Sequence, residues 1–153
     1  MRMNQTSLDE KPIAKPAHLG WRLMALLYDA VISIALLMCS SAIVVLINQG
    51  SPVTPGGLSA FAAFLFFWVI LGIYAICSWR YGGQTLGMRP WRLKVLTLEG
   101  KVPSWRALCL RYSIASLTFG LGALWSFFDA DRRALYDLAS GTIFVRMLST
   151  KSA

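Results

Sequence analysis

A carboxylate inside an apolar run is the first candidate for chemistry in this sequence. Between Leu23 and Ile47 the one charged residue is Asp29, and Arg22 stands just before the run. Their spacing of seven residues places both side chains on nearly the same face of a helix. The rise between them is about 10 Å, which is too long for a direct bond between most rotamers. Ser33 continues that face, which we predict to look toward other helices or a wet cavity.

A buried Asp29 has two physical outcomes. An unpaired carboxylate at the centre of a bilayer costs about 2.5–3.5 kcal/mol or more, so it needs a cation or a proton. If it pairs with an arginine, for which Arg111, Arg80 and Arg106 are candidates, it holds helices together. If burial favours its protonated form, it becomes a site for a proton or a monovalent cation. The sequence leaves both outcomes open.

The composition is that of an integral membrane protein. Hydrophobic residues make up 56% of the 153 residues and charged residues 14%, whereas soluble domains carry about 25% charged residues. The net charge of +8 would favour nucleic acid as the partner of a soluble protein. Here the basic residues stand between apolar runs, which is typical of membrane topology. We therefore predict a lipid bilayer as partner and no nucleic acid.

The cysteines and the histidine form no evident reactive set. Cys39, Cys77 and Cys109 lie in separate apolar stretches without a C-x-x-C spacing, so neither a disulfide framework nor a zinc site is indicated. His18 is the single histidine and lies in a polar tail. We expect no enzymatic activity, no cofactor and no metal site.

Two apolar runs predict transmembrane helices. They cover Leu23–Ile47 and Leu58–Trp79, and each is long enough to cross a hydrocarbon core of about 30 Å. The loop 48–57 carries no charge, whereas the segment 80–106 carries six basic residues against one acid, Glu99. Basic loops stay in the cytoplasm, so we expect a hairpin with the N-terminus on the cytoplasmic side.

We predict one membrane domain over residues 21–146, between a flexible cytoplasmic tail over 1–20 and a second tail over 147–153. Its fold class is all-α: an integral membrane helical bundle with two transmembrane helices. A third apolar region, 107–128, is interrupted by glycines and is either a third span or a re-entrant helix pair. Within the basic loop, the alternation at 91–95 predicts a short strand or a membrane-surface segment, with a short β-hairpin as one outcome.

The charged group near the C-terminal end has two readings. Arg133 and Asp137 have the i,i+4 spacing of a helical ion pair, and an exposed pair of that kind contributes about 0.3–0.5 kcal/mol. Alternatively, Asp137 docks against Arg22 or Arg111 and closes the cytoplasmic face of the bundle.

Three ordered blocks resemble the RDD family of bacterial membrane proteins, which is named for one Arg and two Asp. They are Arg22-x-x-Ala-x-x-x-Asp29, the loop Gly83-Gln-Thr-Leu-Gly-Met-Arg89, and Arg132-Arg-Ala-Leu-Tyr-Asp-Leu-Ala-Ser-Gly-Thr142. The family pattern often has a His before the final Asp and a Lys after the loop's Leu-Gly, where this chain has Tyr136 and Met88. The resemblance implies that Arg22, Asp29 and Asp137 are the family's motif residues, in a bacterial cytoplasmic (inner) membrane protein. For some members of the family, cation/proton exchange has been proposed.

Two functions follow from these residues. The leading hypothesis is a small transport protein that moves ions or small solutes, with Asp29 as the proton or cation site, Arg22 as its gate or charge modulator and Asp137 as a cytoplasmic latch. Because three helices leave little room for a pathway, we expect a homo-oligomer or a complex with another membrane protein. The alternative is a non-transporting scaffold or assembly partner that uses the basic loop 80–106.

Overall fold

Two long apolar helices form a hairpin. The computed structural model describes residues 14–51, 53, 55–127, 129 and 133–147. Helix α1 covers Leu19–Ile47 and helix α2 covers Leu58–Gly82. At about 1.5 Å per residue they extend roughly 43 and 37 Å, enough to cross a hydrocarbon core of about 30 Å. Both predicted apolar runs lie within these helices, so the two long apolar helices are confirmed.

The outer surface of the hairpin is apolar. In the most hydrophobic window of each helix, 6% of the α1 residues and 11% of the α2 residues are buried. Large apolar side chains such as Val31, Leu46 and Leu58 are 69%, 77% and 85% exposed. A soluble protein rarely leaves so large a continuous apolar surface in water. These helices therefore have the surface of a membrane protein.

The third apolar region is divided between two helical segments. Helix α3 covers Trp105–Leu117 and begins where the Ser104 hydroxyl accepts a hydrogen bond from the Ala107 amide. Phe119 and Gly120 then adopt positive φ angles of 49° and 77°, and a 3-10 helix follows over Leu121–Phe127. The thirteen residues of α3 extend about 20 Å, less than the thickness of a hydrocarbon core. The chain turns at the Gly-rich point that the sequence marked as an interruption.

Helix α3 is fastened to the middle of α2. The Tyr112 hydroxyl donates to the Trp68 carbonyl oxygen at 2.7 Å, and the Trp68 indole N–H donates to the Ser116 hydroxyl at 3.0 Å. The two aromatic rings lie 5.2 Å apart. Gly72 leaves the space that the Tyr112 ring fills, because a Cβ at Gly72 would lie 2.8 Å from that ring.

A three-stranded antiparallel sheet gathers three distant parts of the chain. Strands β1 (Ala14–Pro16), β2 (Leu93–Thr97) and β3 (Thr142–Met147) are arranged in the order β1-β3-β2. A short helix, α4 (Leu135–Ser140), leads directly into β3. The sheet lies at the end of the hairpin where α1 begins and α2 ends, because β1 immediately precedes α1 and Val95 of β2 bonds the Gly83 carbonyl beyond α2.

The prediction of an all-α fold omits this sheet. The turn after β2 forms, with the Thr97 amide bonded to the Lys101 carbonyl oxygen at 2.8 Å. However, the residues after the turn lead into α3, and β2 pairs with β3 instead of forming a local hairpin. The pairing covers Leu93 and Val95, both 0% exposed. Local alternation predicts a strand, but it cannot identify a partner about fifty residues away.

The predicted flexible tail is partly structured. Residues 14–20 belong to the fold: Ala14–Pro16 pairs with β3, and Ala17 is 1% exposed. At the other end, Met147 is the last residue of β3. Residues 1–13 and 148–153, the remainder of the two predicted tails, lie outside the described residues.

The buried core lies where the helices meet the sheet. Its members come from the chain before α1, from α1, from the loop after α2, from β2, from α3 and from β3; they are Ala17, Ala25, Met88, Leu93, Val95, Leu108 and Phe144. The core therefore joins α1, α3, β2 and β3 at one end of the hairpin.

We expect Gly72→Ala to lower the stability of the detergent-solubilised protein. The added methyl group would press on the Tyr112 ring, whose hydroxyl bond to α2 limits its movement. Overpacking of this kind costs about 1–3 kcal/mol. Thermal unfolding followed by circular dichroism measures the change. Gly82→Ala is the matched control, because its Cβ would meet no atom within 4 Å; equal stability of the two variants would contradict tight α2–α3 packing.

Candidate functional site

Asp137 is a buried carboxylate held between two arginines. Arg22 Nη1 donates to Asp137 Oδ2 at 2.6 Å, and Arg111 Nη1 donates to Asp137 Oδ1. Asp137 is 0% exposed, Arg111 2% and Arg22 6%. The three residues come from α4, α3 and the first turns of α1. This cluster therefore ties three helices together at the sheet end of the molecule.

Backbone and hydroxyl groups complete the cluster. The Ala134 amide donates to Asp137 Oδ2 at 2.9 Å, which caps the first turn of α4. Arg111 Nη1 also donates to the Thr142 hydroxyl at 2.7 Å, so β3 joins the cluster. Such charge-assisted bonds are stronger than bonds between neutral groups.

Aromatic rings surround the two guanidinium groups. The Arg111 guanidinium carbon lies 4.8 Å from the Tyr136 ring centre, 5.3 Å from Trp79 and 5.7 Å from Phe144. That of Arg22 lies 4.8 Å from Phe144. Ring faces attract cations at these distances, which offsets part of the cost of removing the arginines from water.

The arginines keep Asp137 ionised. Burial by itself raises the pKa of a carboxyl group, but the charges of Arg111 and Arg22, together with the Ala134 amide, outweigh burial. The net result is a pKa below the ordinary value. With one negative and two positive side chains, the cluster has a formal charge of +1.

The structure decides between the two readings for Asp137: the pair with Arg133 is wrong, and docking against Arg22 and Arg111 is confirmed. The Arg133 side chain bonds Asp129 Oδ2 at 3.3 Å, and its backbone amide bonds the same oxygen at 2.8 Å. Asp137 faces inward, where Arg22 and Arg111 converge. Asp129 and Asp137 are each four residues from Arg133, so the spacing is compatible with both pairs. However, α4 begins only at Leu135, so Arg133 is not on the same helix as Asp137. Arg132 lies outside the described residues.

Asp29 occupies a different environment. Its carboxylate accepts hydrogen bonds from the Tyr74 hydroxyl at 2.8 Å, from the Gly87 amide at 3.0 Å and from the Thr85 hydroxyl. The predicted arginine partners were wrong: Arg111 is engaged by Asp137, and no ion pair joins Asp29 to any residue in the described part of the chain. Neutral donors thus surround one carboxylate and cations the other.

Gly87 makes the Asp29 contact possible. A Cβ at this position would lie 2.5 Å from the Ala25 carbonyl oxygen and 2.6 Å from the Asp29 backbone nitrogen. Only glycine lets the loop after α2 approach the α1 backbone so closely. The Gly83–Gly87 spacing therefore serves contact between a loop and a helix within one chain.

Both sites line one cavity of about 780 Å³ between α1, α2 and α3. From α1 the cavity wall includes Arg22, Ala25, Asp29 and Ser33, the stripe whose spacing predicted an inward face. Arg111 and Tyr136 lie at the charged end. Much of the remaining wall is apolar or aromatic, and this volume falls within the range of about 300–1,000 Å³ for small-molecule sites.

Several residues of the two sites carried no signal in the sequence. Tyr74 is one aromatic residue among many in α2, and Thr85 lies in the loop block without a feature that marks it as a partner of Asp29. Thr142 lies in the last motif block, but nothing there marks it as a partner of Arg111. Among the described residues, no group of three or more His, Cys, Asp or Glu side chains could hold a metal ion.

The fold and its buried charges define a small membrane protein with a helical hairpin under a three-stranded sheet. The profile described as the RDD family matches residues 16–141, a range that includes Arg22, Asp29 and Asp137. The chain therefore belongs to the RDD family, as the three motif blocks indicated. No curated protein and no solved structure matches it significantly.

Replacing Gly87 by alanine should separate the loop from α1. The methyl group would meet backbone atoms of α1, which cannot move aside as a flexible side chain does. We expect a loss of about 1–3 kcal/mol of stability and faster hydrogen exchange at the amides of residues 83–88. Gly20→Ala, where a Cβ would have no neighbour within 4 Å, is the matched control. Unchanged exchange in Gly87→Ala would argue against the contact.

Acid should lower the stability that the Asp137 cluster contributes, because protonation removes the charge of Asp137. Since the folded-state pKa of Asp137 lies below its ordinary value of 3.8, the stabilisation is complete above that value and is lost as the pH falls through the folded-state pKa. We expect this contribution to be constant from about pH 5 to 8 and to decline below about pH 4. Thermal unfolding of the detergent-solubilised protein across that range measures it.

In the same assay, Asp137→Asn should lower the free energy of unfolding by about 3–5 kcal/mol at neutral pH, because two buried arginines lose their counter-charge. The variant should also lack this part of the decline in acid. Glu99→Gln is the control, since Glu99 and its partner Lys101 have 72% and 77% exposed side chains. If Asp137→Asn is as stable as the wild type at pH 7, the ion pairs of the cluster do not stabilise the fold.

Proposed function

We propose that this RDD-family protein moves a proton or a monovalent cation across the bacterial cytoplasmic membrane, with Asp29 as the binding site. The observation that carries the proposal is the contrast between the two interior carboxylates. Asp137 has two arginine partners, whereas Asp29 lines the cavity with neutral donors and no ion pair among the described residues. An ionisable group at membrane depth without a fixed counter-charge is suited to binding a mobile one.

The surroundings of Asp29 fit a small positive charge. Ser33, Tyr74 and Thr85 place hydroxyl oxygens on the same cavity wall. Hydroxyl groups can donate to an ionised carboxylate and can also accept from a bound cation or a hydronium ion. A single carboxylate balances a single positive charge. We therefore propose a monovalent cation or a proton as the cargo.

The Arg22–Asp137–Arg111 cluster would act as the closure at the sheet end of the cavity. Arg22 and Arg111 line the cavity and are pinned by Asp137. For the cargo to leave the cavity toward the sheet, these ion pairs would have to separate or shift. The cluster is therefore the latch in the proposed mechanism, and Asp29 is the site that takes the cargo.

A re-entrant α3 completes the proposed topology. Support comes from its length of about 20 Å, from the turn at Phe119–Gly120, and from the return of the chain to α3, where Asp137 pairs with Arg111 in the middle of the helix. This arrangement would place the sheet and the basic segment 80–106 on one side, which we assign to the cytoplasm by the positive-inside rule. The N-terminus would then also be cytoplasmic.

A complete pathway would need more than one chain. The sheet-side end of the cavity is covered by the charged cluster, and the cavity is bounded by only two long helices and one short helix. We propose a homo-oligomer, in which the exposed apolar faces of α1 and α2 meet other copies as well as lipid.

A second function has an observation in its favour. All three bonds of Asp29 hold the loop 83–87 and α2 against α1, as expected of a purely structural carboxylate. In this version the protein is a scaffold, and the exposed basic residues Arg89, Arg92, Lys101 and Arg106 bind a cytoplasmic partner.

Asp29→Asn separates these functions. Asparagine keeps the size of the side chain and one acceptor oxygen but removes the charge. If Asp29 carries the cargo, we expect flux in proteoliposomes with an imposed Na⁺, K⁺ or proton gradient to fall at least about tenfold, the loss expected when a charged binding partner worth about 1.5–3 kcal/mol is removed. The variant should still purify as folded protein.

Glu99→Gln makes the same chemical change at an exposed turn and should retain full flux. If the wild-type protein moves none of these ions, or if folded Asp29→Asn moves them at the wild-type rate, the transport proposal fails. Loss of folded protein in Asp29→Asn, together with no flux in the wild type, would favour the scaffold.

A further inference from the structure

Two buried nitrogen donors at the charged end of the cavity lack partners. Arg111 Nε and Trp79 Nε1 form no hydrogen bond with any described residue, and both residues line the cavity. A buried donor without an acceptor costs about 1–3 kcal/mol. Both nitrogens have less than 1 Å² of accessible surface, so their side chains must rotate before an acceptor can reach them.

The charge at this end favours an anion. Arg22, Arg111 and Asp137 sum to +1, and these side chains lie at the sheet end of the cavity. The opposing charge, Asp29, lies two helical turns after Arg22, about 10 Å further along α1. An acceptor with a negative charge would therefore be attracted to the Arg111–Trp79 end and kept away from Asp29.

The rest of the cavity is shaped for an apolar chain. From Arg22 to Ser33 it follows α1 for about 16 Å, and its far wall includes Phe64, Leu65 and Leu117. Leu26, Phe64 and Leu117, which line the cavity, are 59%, 62% and 78% exposed. The cavity thus opens toward the side of the molecule that the bilayer surrounds, and a chain from the bilayer can enter without crossing water.

We propose that the cavity binds one anionic phospholipid from the surrounding leaflet. Its phosphate would accept hydrogen bonds from Arg111 Nε and Trp79 Nε1, and one acyl chain would lie along the apolar wall between α1 and α3. The orientation agrees with that of a lipid in the bilayer, because the charged end lies at the sheet end of the helices and the apolar end lies deeper. The site shares its cavity with Asp29, but lipid retention and ion flux are measured separately, so either proposal can fail without the other.

Native mass spectrometry of the full-length protein tests the proposal. The detergent-solubilised protein is titrated in parallel with phosphatidylglycerol, with diacylglycerol of the same acyl chains, and with inorganic phosphate. We expect one phosphatidylglycerol to be retained per chain, and neither the diacylglycerol nor phosphate alone. Equal retention of diacylglycerol would overturn the headgroup assignment, and binding of phosphate alone, or retention of no lipid, would overturn the proposal.

Two variants locate the bound lipid. Ala115→Phe adds a ring inside the cavity and should abolish retention, whereas Ala62→Phe adds the same ring to the exposed surface of α2 and should not. Trp79→Phe keeps an aromatic ring but removes the N–H, so it should weaken retention about 2- to 10-fold. Wild-type retention by folded Ala115→Phe places the lipid elsewhere and overturns the proposal. If Ala115→Phe does not fold, the Trp79→Phe titration decides: wild-type lipid retention by that variant would overturn the proposal.

Discussion

The structure depends on the need of one buried carboxylate for compensating charge. Asp137 has no exposed surface, so it remains ionised only because Arg22 and Arg111 reach it from two other helices. This requirement draws the start of α1, the middle of α3 and the short α4 to one point. Through Thr142 it also positions β3, on which the other two strands assemble. Removing Asp137 would leave two buried arginines without a counter-charge, so the cluster specifies the arrangement as well as stabilising it.

The two motif aspartates lie in one bundle but have opposite surroundings. Cations enclose Asp137, whereas Asp29 is held by two hydroxyl groups and a backbone amide on the wall of a cavity. The first arrangement is suited to holding helices together. The second fixes the carboxylate in place without neutralising it, which is why the proposed cargo is placed there. Gly87 is essential to that difference, since any larger residue would push the loop and its amide away from α1.

Local patterns in the sequence predicted local features well. The two apolar runs corresponded to α1 and α2, since a long uncharged stretch determines a helix regardless of its neighbours. The inward face of Arg22, Asp29 and Ser33 followed from helical spacing, and the interruption after Leu117 followed from the glycines. The predictions that were wrong concerned partners. Of the two readings for Asp137, the pair with Arg133 was wrong, whereas docking against Arg22 and Arg111 was right. The arginines proposed for Asp29 were wrong, because hydroxyl and amide donors hold its carboxylate.

By itself, the sequence determined the membrane class, the two long helices and the family, because these depend on composition, run length and short motifs. The tertiary structure decided which arginines meet Asp137, that Tyr74 and Thr85 hold Asp29, and that the ends of the chain pair with the basic loop in a sheet. Those contacts join residues from about 26 to more than 100 positions apart. No spacing rule reaches so far, because the geometry arises only when several helices have packed and the buried polar groups have found the partners that burial requires.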